Sequence, residues 1–286
     1  MLERIFTIIS CSSFRGFHSL NIQNKIADIL NTAEVNISKT QTTISKLQNI
    51  KSGLMQDLFT RGVDENGKLR PTYQERPDLY KESPLGMIPN EWQEVIIKDI
   101  GQVITGNTPS TSNLSLYGND FLFVSPADMQ GDCSDVFETE KKISKLGYEQ
   151  SRRIRVGATL VVCIGSTIGK TGRLKKDGST NQQINSIVPY ETFNDDFVFF
   201  GCQILLHHQF RKSMGLQAVP IVNKSDFEKF NFFKPRKEEQ EMIVKILSNT
   251  LNQIDHEKIF LQKLISIKQG LMQDLLTGKK EVKVDE

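Results

Sequence analysis

Gly165-Ser166-Thr167-Ile168-Gly169-Lys170-Thr171 has the residue types of a phosphate cradle, in which glycines expose backbone N–H groups and a lysine neutralises the phosphate. The spacing is wrong. A cradle needs four residues between its glycines, whereas here there are three, and Ile164 stands where the first glycine should be. The segment is expected to be a strand-to-strand turn carrying a basic residue. Cys11, Cys133, Cys163 and Cys202 form no C-x-x-C pair, and the neighbours His207 and His208 would diverge on a helix. No G-x-G-x-x-G follows a strand, and no nucleophile, base and orienter can be assembled. Catalytic residues, metal ligands and cofactor sites are therefore expected to be absent.

Recognition chemistry is better represented. Asn107, Thr108, Ser110 and Thr111 lie in one polar loop, and Asn181, Gln182 and Gln183 in another. Such side chains donate and accept at base edges, where Asn and Gln suit adenine while Arg and Lys suit guanine. Turn chemistry accounts equally well for the first loop, but Gln182 and Gln183 are poor turn formers placed directly before a strand. Arg152, Arg153, Arg155, Lys170, Arg173, Lys175 and Lys176 occupy a stretch with no acid among them, and Lys224 lies further on. Asp128, Asp132, Asp135, Glu138 and Glu140 form an acidic block just before. One reading is a domain with a basic nucleic-acid face backed by a repelled acidic one. The other is a surface whose charges alternate once folded. On the first reading Gln182 chooses bases, whereas Lys175 and Lys176 add affinity for every sequence.

The elements that must position these residues are set by a repeat. Ile50 to Thr60 returns as Ile267 to Thr277, a gapless shift of 217 positions (from 50 to 267), and the shift also carries Gln23, Ile26 and Leu30 onto Gln240, Ile243 and Leu247. Seam residues step by fours and threes: Ile26, Leu30, Ala33, Ile37, Ile44 and Leu47, then Ile243, Leu247, Thr250, Ile254, Leu261 and Leu264. Each copy should be a helix of about 35 residues, about 50 Å long. The second opens after Pro235 with Glu238 and Glu239 in its first turn and closes at Gly278. The first closes at Gly62 and has a weaker start at Ser19 to Ile22. Self-pairing would explain the apolar repeats, but not why Gly53, Leu54, Gln56 and Asp57 recur as Gly270, Leu271, Gln273 and Asp274. A glycine inside a helix costs about 1 kcal/mol relative to alanine. Its retention in both copies is expected to mark close approach by the same partner surface, met twice.

Between the helices the helical period fades, and short apolar runs at Phe121–Val124, Thr159–Ile164 and Ile184–Pro189 read as strands, with a helix from Phe197 to Met214. The expected division is 1–22 as an N-terminal remnant, 23–62 as the first helix and 63–86 as a linker punctuated by prolines. A strand-rich α+β domain over 87–236, the second helix over 237–280 and a tail over 281–286 follow. The 286-residue chain has 38% hydrophobic residues, enough for a core, and a net charge of +2, too small to draw phosphate on its own. Scattered thiols suit a reducing, cytoplasmic setting. The lipoprotein-like Ile8-Ile9-Ser10-Cys11 follows an apolar stretch shorter than the roughly 7 to 15 residues of a signal core. No run approaches the roughly 18 apolar residues of a membrane span.

Ile88-Pro89-Asn90-Glu91-Trp92, Gly106 to Ser110, Phe123-Val124-Ser125-Pro126-Ala127-Asp128-Met129, Gly165 to Lys170, Thr180 to Asn185, Asn223-Lys224-Ser225-Asp226-Phe227 and the twice-used Gly-Leu-Met-Gln-Asp-Leu occur in an order that resembles the specificity subunit of type I DNA restriction-modification enzymes. The resemblance implies a target-recognition domain that reads one half of a bipartite site in double-stranded DNA. It also implies that the long helices form an antiparallel coiled coil on which two methyltransferase subunits dock, with restriction subunits joining through the complex. S-adenosylmethionine, ATP and Mg2+ would then belong to those partners alone. The family's usual member has two recognition domains, and only Met1 to Ile22 precedes the first helix here. A half-subunit that pairs with itself or with a second specificity chain, a reserve fragment inactive alone, and a coiled-coil scaffold for protein binding are the alternatives.

Overall fold

The computed structural model describes residues 19–129, 133–214 and 220–282. The expectations for residues 1–18, including Cys11, and for 283–286 lie outside them. Two long helices, α1 (Leu20–Leu58) and α6 (Lys237–Leu276), bracket the chain. Four shorter ones lie between: α2 (Ile97–Ile100), α3 (Lys145–Gln150), α4 (Asp195–Met214) and α5 (Lys224–Phe227). Both long helices stop short of glycines with left-handed backbone, Gly62 (φ 64°) and Gly278 (φ 70°), a conformation that ends a helix. The residues fall into two compact units, one of 19–52 with 248–282 and one of Gly53–Leu247.

The first unit is an antiparallel pair of rods. Ile26, Ile37 and Ile44 from α1 and Ile254 and Leu275 from α6 are buried, as are the seam threonines Thr40 and Thr250. Leu30, Ala33, Leu47, Leu261 and Leu264 are half-buried, so the seam follows the expected period. Lys268 Nζ donates to Glu34 across the pair.

The second unit is built on a five-stranded sheet in the order β4 (Gly101–Thr105), β11 (Ile184–Pro189), β8 (Thr159–Val162), β9 (Thr171–Leu174), β6 (Cys133–Val136). Every neighbouring pair is antiparallel except β6 and β9, which are parallel. A three-stranded sheet runs β10 (Gly178–Thr180), β5 (Tyr117–Val124), β7 (Lys141–Ile143). Leu122 and Val124 from β5 share one core with Leu160 and Val162 from β8. All four residues of β8 are buried, which is why its run from Leu160 to Val162 is continuously apolar rather than alternating. Antiparallel pairs β1 (Tyr80–Ser83) with β2 (Gly86–Pro89), and β3 (Gln93–Ile96) with β12 (Asn231–Lys234), complete the strands.

A second core is aromatic. Phe59, just past α1, stacks on Phe197 of α4 with centroids 5.1 Å apart, and Trp92 stacks on Phe233 of β12 at 4.3 Å. Beside it lies Glu239, 5% exposed. Its carboxylate accepts from Trp92 Nε1 (3.1 Å), Val63 N (3.0 Å) and both terminal nitrogens of Arg70 (2.5 and 3.2 Å). A side chain at Gly62 would strike that carboxylate, so glycine is required there for space as well as for backbone angle. Arg70 belongs to the stretch 63–86, which sequence alone made a linker. The stretch is instead folded onto the unit: Val63 and Tyr80 are buried, and β1 opens within it. Its prolines shape turns around a charge contact that no local pattern announces.

Replacing Glu239 with Ala would leave a buried indole N–H, a backbone N–H and a guanidinium without their shared acceptor. The expected loss is about 3–5 kcal/mol of unfolding free energy, read by denaturant melts. A loss under about 1 kcal/mol would show that the node is dispensable.

Candidate nucleic-acid interface

Strand direction collects the polar loops. Because β4, β11, β8 and β9 alternate in direction, the C-terminal ends of β4 and β8 meet the N-terminal ends of β11 and β9 at one end of the sheet. The loop after β4 (106–113), the turn between β8 and β9 (163–170) and the turn before β11 (181–183) therefore share that end. The parallel strands β5 and β10 deliver 125–129 and 181 to the same place, since Asn181 N donates to Val124 O at 3.0 Å. The segment 220–224 joins them through an Ile164 to Ile221 bridge, flanked by Gly165 N to Pro220 O (3.0 Å) and Val222 N to Cys163 O (2.9 Å).

Each loop is held from within. Gly106 lies so close to the next turn that an added Cβ would sit 2.2 Å from the carbonyl oxygens of Thr180 and Asn181. Asn107 Oδ1 accepts from Arg152 N (2.9 Å), and Arg152 Nη1 donates to Thr105 O (2.8 Å). Ser110 and Ser112 share a hydrogen bond of 2.8 Å, and Thr111 is exposed. Asn181 Oδ1 accepts from Gln183 N (3.1 Å) while Asn181 Nδ2 donates to Gln183 Oε1 (3.0 Å). The turn that looked unsuited to glutamine is thus made by its asparagine, and Gln182 and Gln183 occupy its centre. Gln183 is half-buried, with Nε2 3.5 Å from Ile164 O, whereas Gln182 is exposed. The segment 165–170 is the expected turn: Gly169 N donates to Val162 O and Val162 N to Lys170 O. Lys170 Nζ donates to Pro126 O at 3.3 Å, and Lys224 is exposed beside Glu228. Burial pushes the Cys163 thiol, just inside this end, up to about 12, so it is inert at neutral pH.

The expected basic face does not form as one surface. Arg173, Lys175 and Lys176 lie toward or beyond the C-terminal end of β9, opposite the loops. Pairing of β9 with β6 sets Asp135, and Glu138 just beyond the strand, against them. Arg173, 9% exposed, donates to both oxygens of Asp135 (2.7 and 2.8 Å) and to Asp196. Burial disfavours its charge, but the two aspartates outweigh that and hold its pKa above the ordinary value. Lys175 Nζ is 3.7 Å from Asp135, and Lys176 Nζ donates to Glu138 at 2.7 Å. Lys142 and Lys176 bring the Glu138 carboxyl down to about 2. Arg155, at the same far end, pairs with Asp195. The charges that alternate in space are those that looked segregated in sequence, and Arg173 is a structural residue. Arg153 is exposed, its guanidinium 5.9 Å from the centre of the Tyr148 ring.

Asn107, Thr108, Ser110, Thr111, Arg152, Lys170, Asn181, Gln182, Gln183 and Lys224 are accordingly brought together, while Arg173, Lys175 and Lys176 are not. Ser166, Thr167 and Ile221 are exposed in the same group of loops and were not singled out from sequence. Their sharing of segments with Lys170 and Lys224 was the available signal. Of the repeated surface, Gly53, Gln56, Gly270 and Gln273 are exposed, and Leu54, Asp57, Leu271 and Asp274 are half-buried. Among the described residues, a Cβ at Gly53 or Gly270 would meet nothing within 4 Å beyond its own turn of helix.

Arg173→Met should lower the unfolding free energy by about 2 kcal/mol, because two carboxylates lose their common donor. Lys175→Ala with Lys176→Ala should cost less than about 1 kcal/mol, as exposed pairs do. Equal costs in thermal melts would contradict the division between buried clamp and exposed pairs.

Comparison with known proteins agrees with this architecture. A family model described as a type I restriction modification DNA specificity domain matches residues 89–267. The chain is 31% identical over 201 residues to the type I restriction enzyme HindI specificity subunit of Haemophilus influenzae, covering 67% of this chain and 42% of that subunit. It is 24% identical over 277 residues to the MjaVIII specificity subunit of Methanocaldococcus jannaschii, covering 92% of this chain and 61% of that one. Among solved structures, the HsdS subunit from Thermoanaerobacter tengcongensis shares the fold with a TM-score of 0.55 at 16% identity, over 97% of this chain and 68% of that one. The S subunit from M. genitalium does so with a TM-score of 0.57 at 12% identity, over 93% and 62%. The chain thus spans about half the length of the curated relatives it matches. With the family model covering more than half of its residues, the chain belongs to the specificity subunits of type I restriction-modification systems.

Proposed function

We propose that the loop end of the five-stranded sheet reads one half of a bipartite site in double-stranded DNA. The observation that carries this reading is the convergence of separate polar loops, stapled by their own hydrogen bonds, on one end of a rigid sheet. Rigid placement matters because base discrimination of about 1–3 kcal/mol per contact depends on geometry. Lys170, Lys224 and Arg152 stand beside the readers and would position the phosphate backbone, a role that carries no sequence information. The chemistry of methylation and cleavage would lie on partner subunits that use S-adenosylmethionine, ATP and Mg2+. Full-length chain mixed with its methyltransferase subunit and a random duplex library should enrich a motif. Absence of any enriched motif would favour a scaffold or an inactive fragment. Lys170→Ala with Lys224→Ala should weaken binding to all sequences and flatten the salt dependence by about one unit of slope per lost contact. Lys175→Ala with Lys176→Ala should do neither, and the reverse pattern would move the interface to the far end.

We further propose that the two copies of Gly-Leu-Met-Gln-Asp-Leu each receive one methyltransferase subunit. The glycines support this, because nothing among the described residues comes close enough to require them. Thr60 and Thr277 make the same bond back to Gln56 O and Gln273 O, so the two copies also end alike. Gly270→Leu should leave the melting temperature unchanged or slightly raised, by the roughly 1 kcal/mol that a helical glycine costs, while weakening methyltransferase docking at least about tenfold. Retained affinity in a calorimetric titration would remove this account of the glycine.

A further inference from the structure

Six amide side chains stand at the loop end, and they differ in what they have left to offer: Asn223 is bonded through both its oxygen and its nitrogen, and Asn113 Oδ1 accepts from Ser115 N and Oγ within its own loop. Asn181 and Gln183 bond each other, and Gln183 also faces Ile164 O. Asn107 is committed through Oδ1 to Arg152 N. Gln182 is exposed at the tip of its turn and is held by a side chain of another loop: its one bond among the described residues is accepted by Oε1 from Thr108 Oγ1, at 2.8 Å. Thr108 comes from the loop after β4, 74 residues earlier, so the contact joins two loops that Gly106 already brings into backbone contact.

Resting on the proposed reading of DNA, we infer that Thr108 and Gln182 act as one specificity-determining unit that selects a guanine. A primary amide free to rotate presents either oxygen or nitrogen, and so suits the mixed acceptor and donor edge of adenine. In the arrangement observed the Thr108 hydroxyl donates to the amide oxygen, so Oε1 is the occupied atom. The two N–H donors of Nε2 keep no partner among the described residues and are the atoms left to meet a base. The base edge that offers two neighbouring acceptors in the major groove is guanine, through N7 and O6. Gln182 is the reader in this unit, and Thr108 is a positioning residue.

Selection from a random duplex library by the full-length chain with its methyltransferase subunit tests this with three variants. Gln182→Ala and Thr108→Val should relax preference at the same single position, a G·C pair, with a loss of about fivefold in affinity for the wild-type motif. Thr108→Ser keeps the hydroxyl and should keep the preference. Melting temperatures of all three should match the wild type, since both side chains are exposed. A wild-type motif that Thr108→Val leaves unchanged, relaxation of two different positions, or a shared position that is not G·C would each overturn the inference while leaving the reading of DNA intact. Failure of the wild-type chain to enrich any motif would overturn the proposed function and take this inference with it.

Discussion

A single carboxylate organises the unit that carries the loops. Glu239 lies in the first turn of α6, where the helix dipole favours a negative charge, yet its partners come from outside the helix. Trp92, Val63 and Arg70 all donate to it. A charge taken out of water in this way is stable only when nearly every lone pair is used, as it is here. Through it the end of α1, the folded stretch that follows and the start of α6 are fastened to the aromatic core of Phe59, Trp92, Phe197 and Phe233. Arg236 and Arg70 extend the same network to Glu91, whose pKa they hold below the ordinary value.

Rigidity of the sheet matters because the polar loops, at the end opposite this carboxylate, are short segments with no core of their own. They gain order from two sources. The alternating strands fix where each loop begins and ends, and side-chain bonds such as Asn107 to Arg152 and Asn181 to Gln183 fix the path between. A surface built this way can be altered by changing a tip residue without disturbing the sheet. That separation between frame and tip is what the proposed reading of DNA would require.

The repeat shows how the same residues can serve different ends. Gln240 is fully buried, accepting from Asn194 N and donating to Thr192 O and Pro235 O, while its counterpart Gln23 is exposed. Ile243 and Leu247 are sealed inside the globular unit, whereas Ile26 and Leu30 belong to the seam of the rods. Around the repeated glycine the exposure matches position by position, from Ile50 to Leu54 and from Ile267 to Leu271, and again at Gln56 to Leu58 and Gln273 to Leu275.

The two long helices, most of their seam, the strands containing 121–124, 159–162 and 184–189 and the turn at 165–170 were legible in the sequence, because each depends on periodicity or on turn chemistry within a few residues. The polar candidates were legible by type, since Asn, Gln and Thr at strand ends are few. What the tertiary structure decided was pairing across distance. Sequence showed acids and bases in separate blocks, but the parallel pairing of β6 with β9 laid one on the other and turned Arg173 from a candidate contact into a buried clamp. The prolines of 63–86 suggested a linker because the contact that folds it, Arg70 with Glu239, spans 169 residues. Which side chain holds Gln182 was likewise invisible, for hydrogen-bond satisfaction is a property of neighbours in space, and Thr108 is 74 positions away.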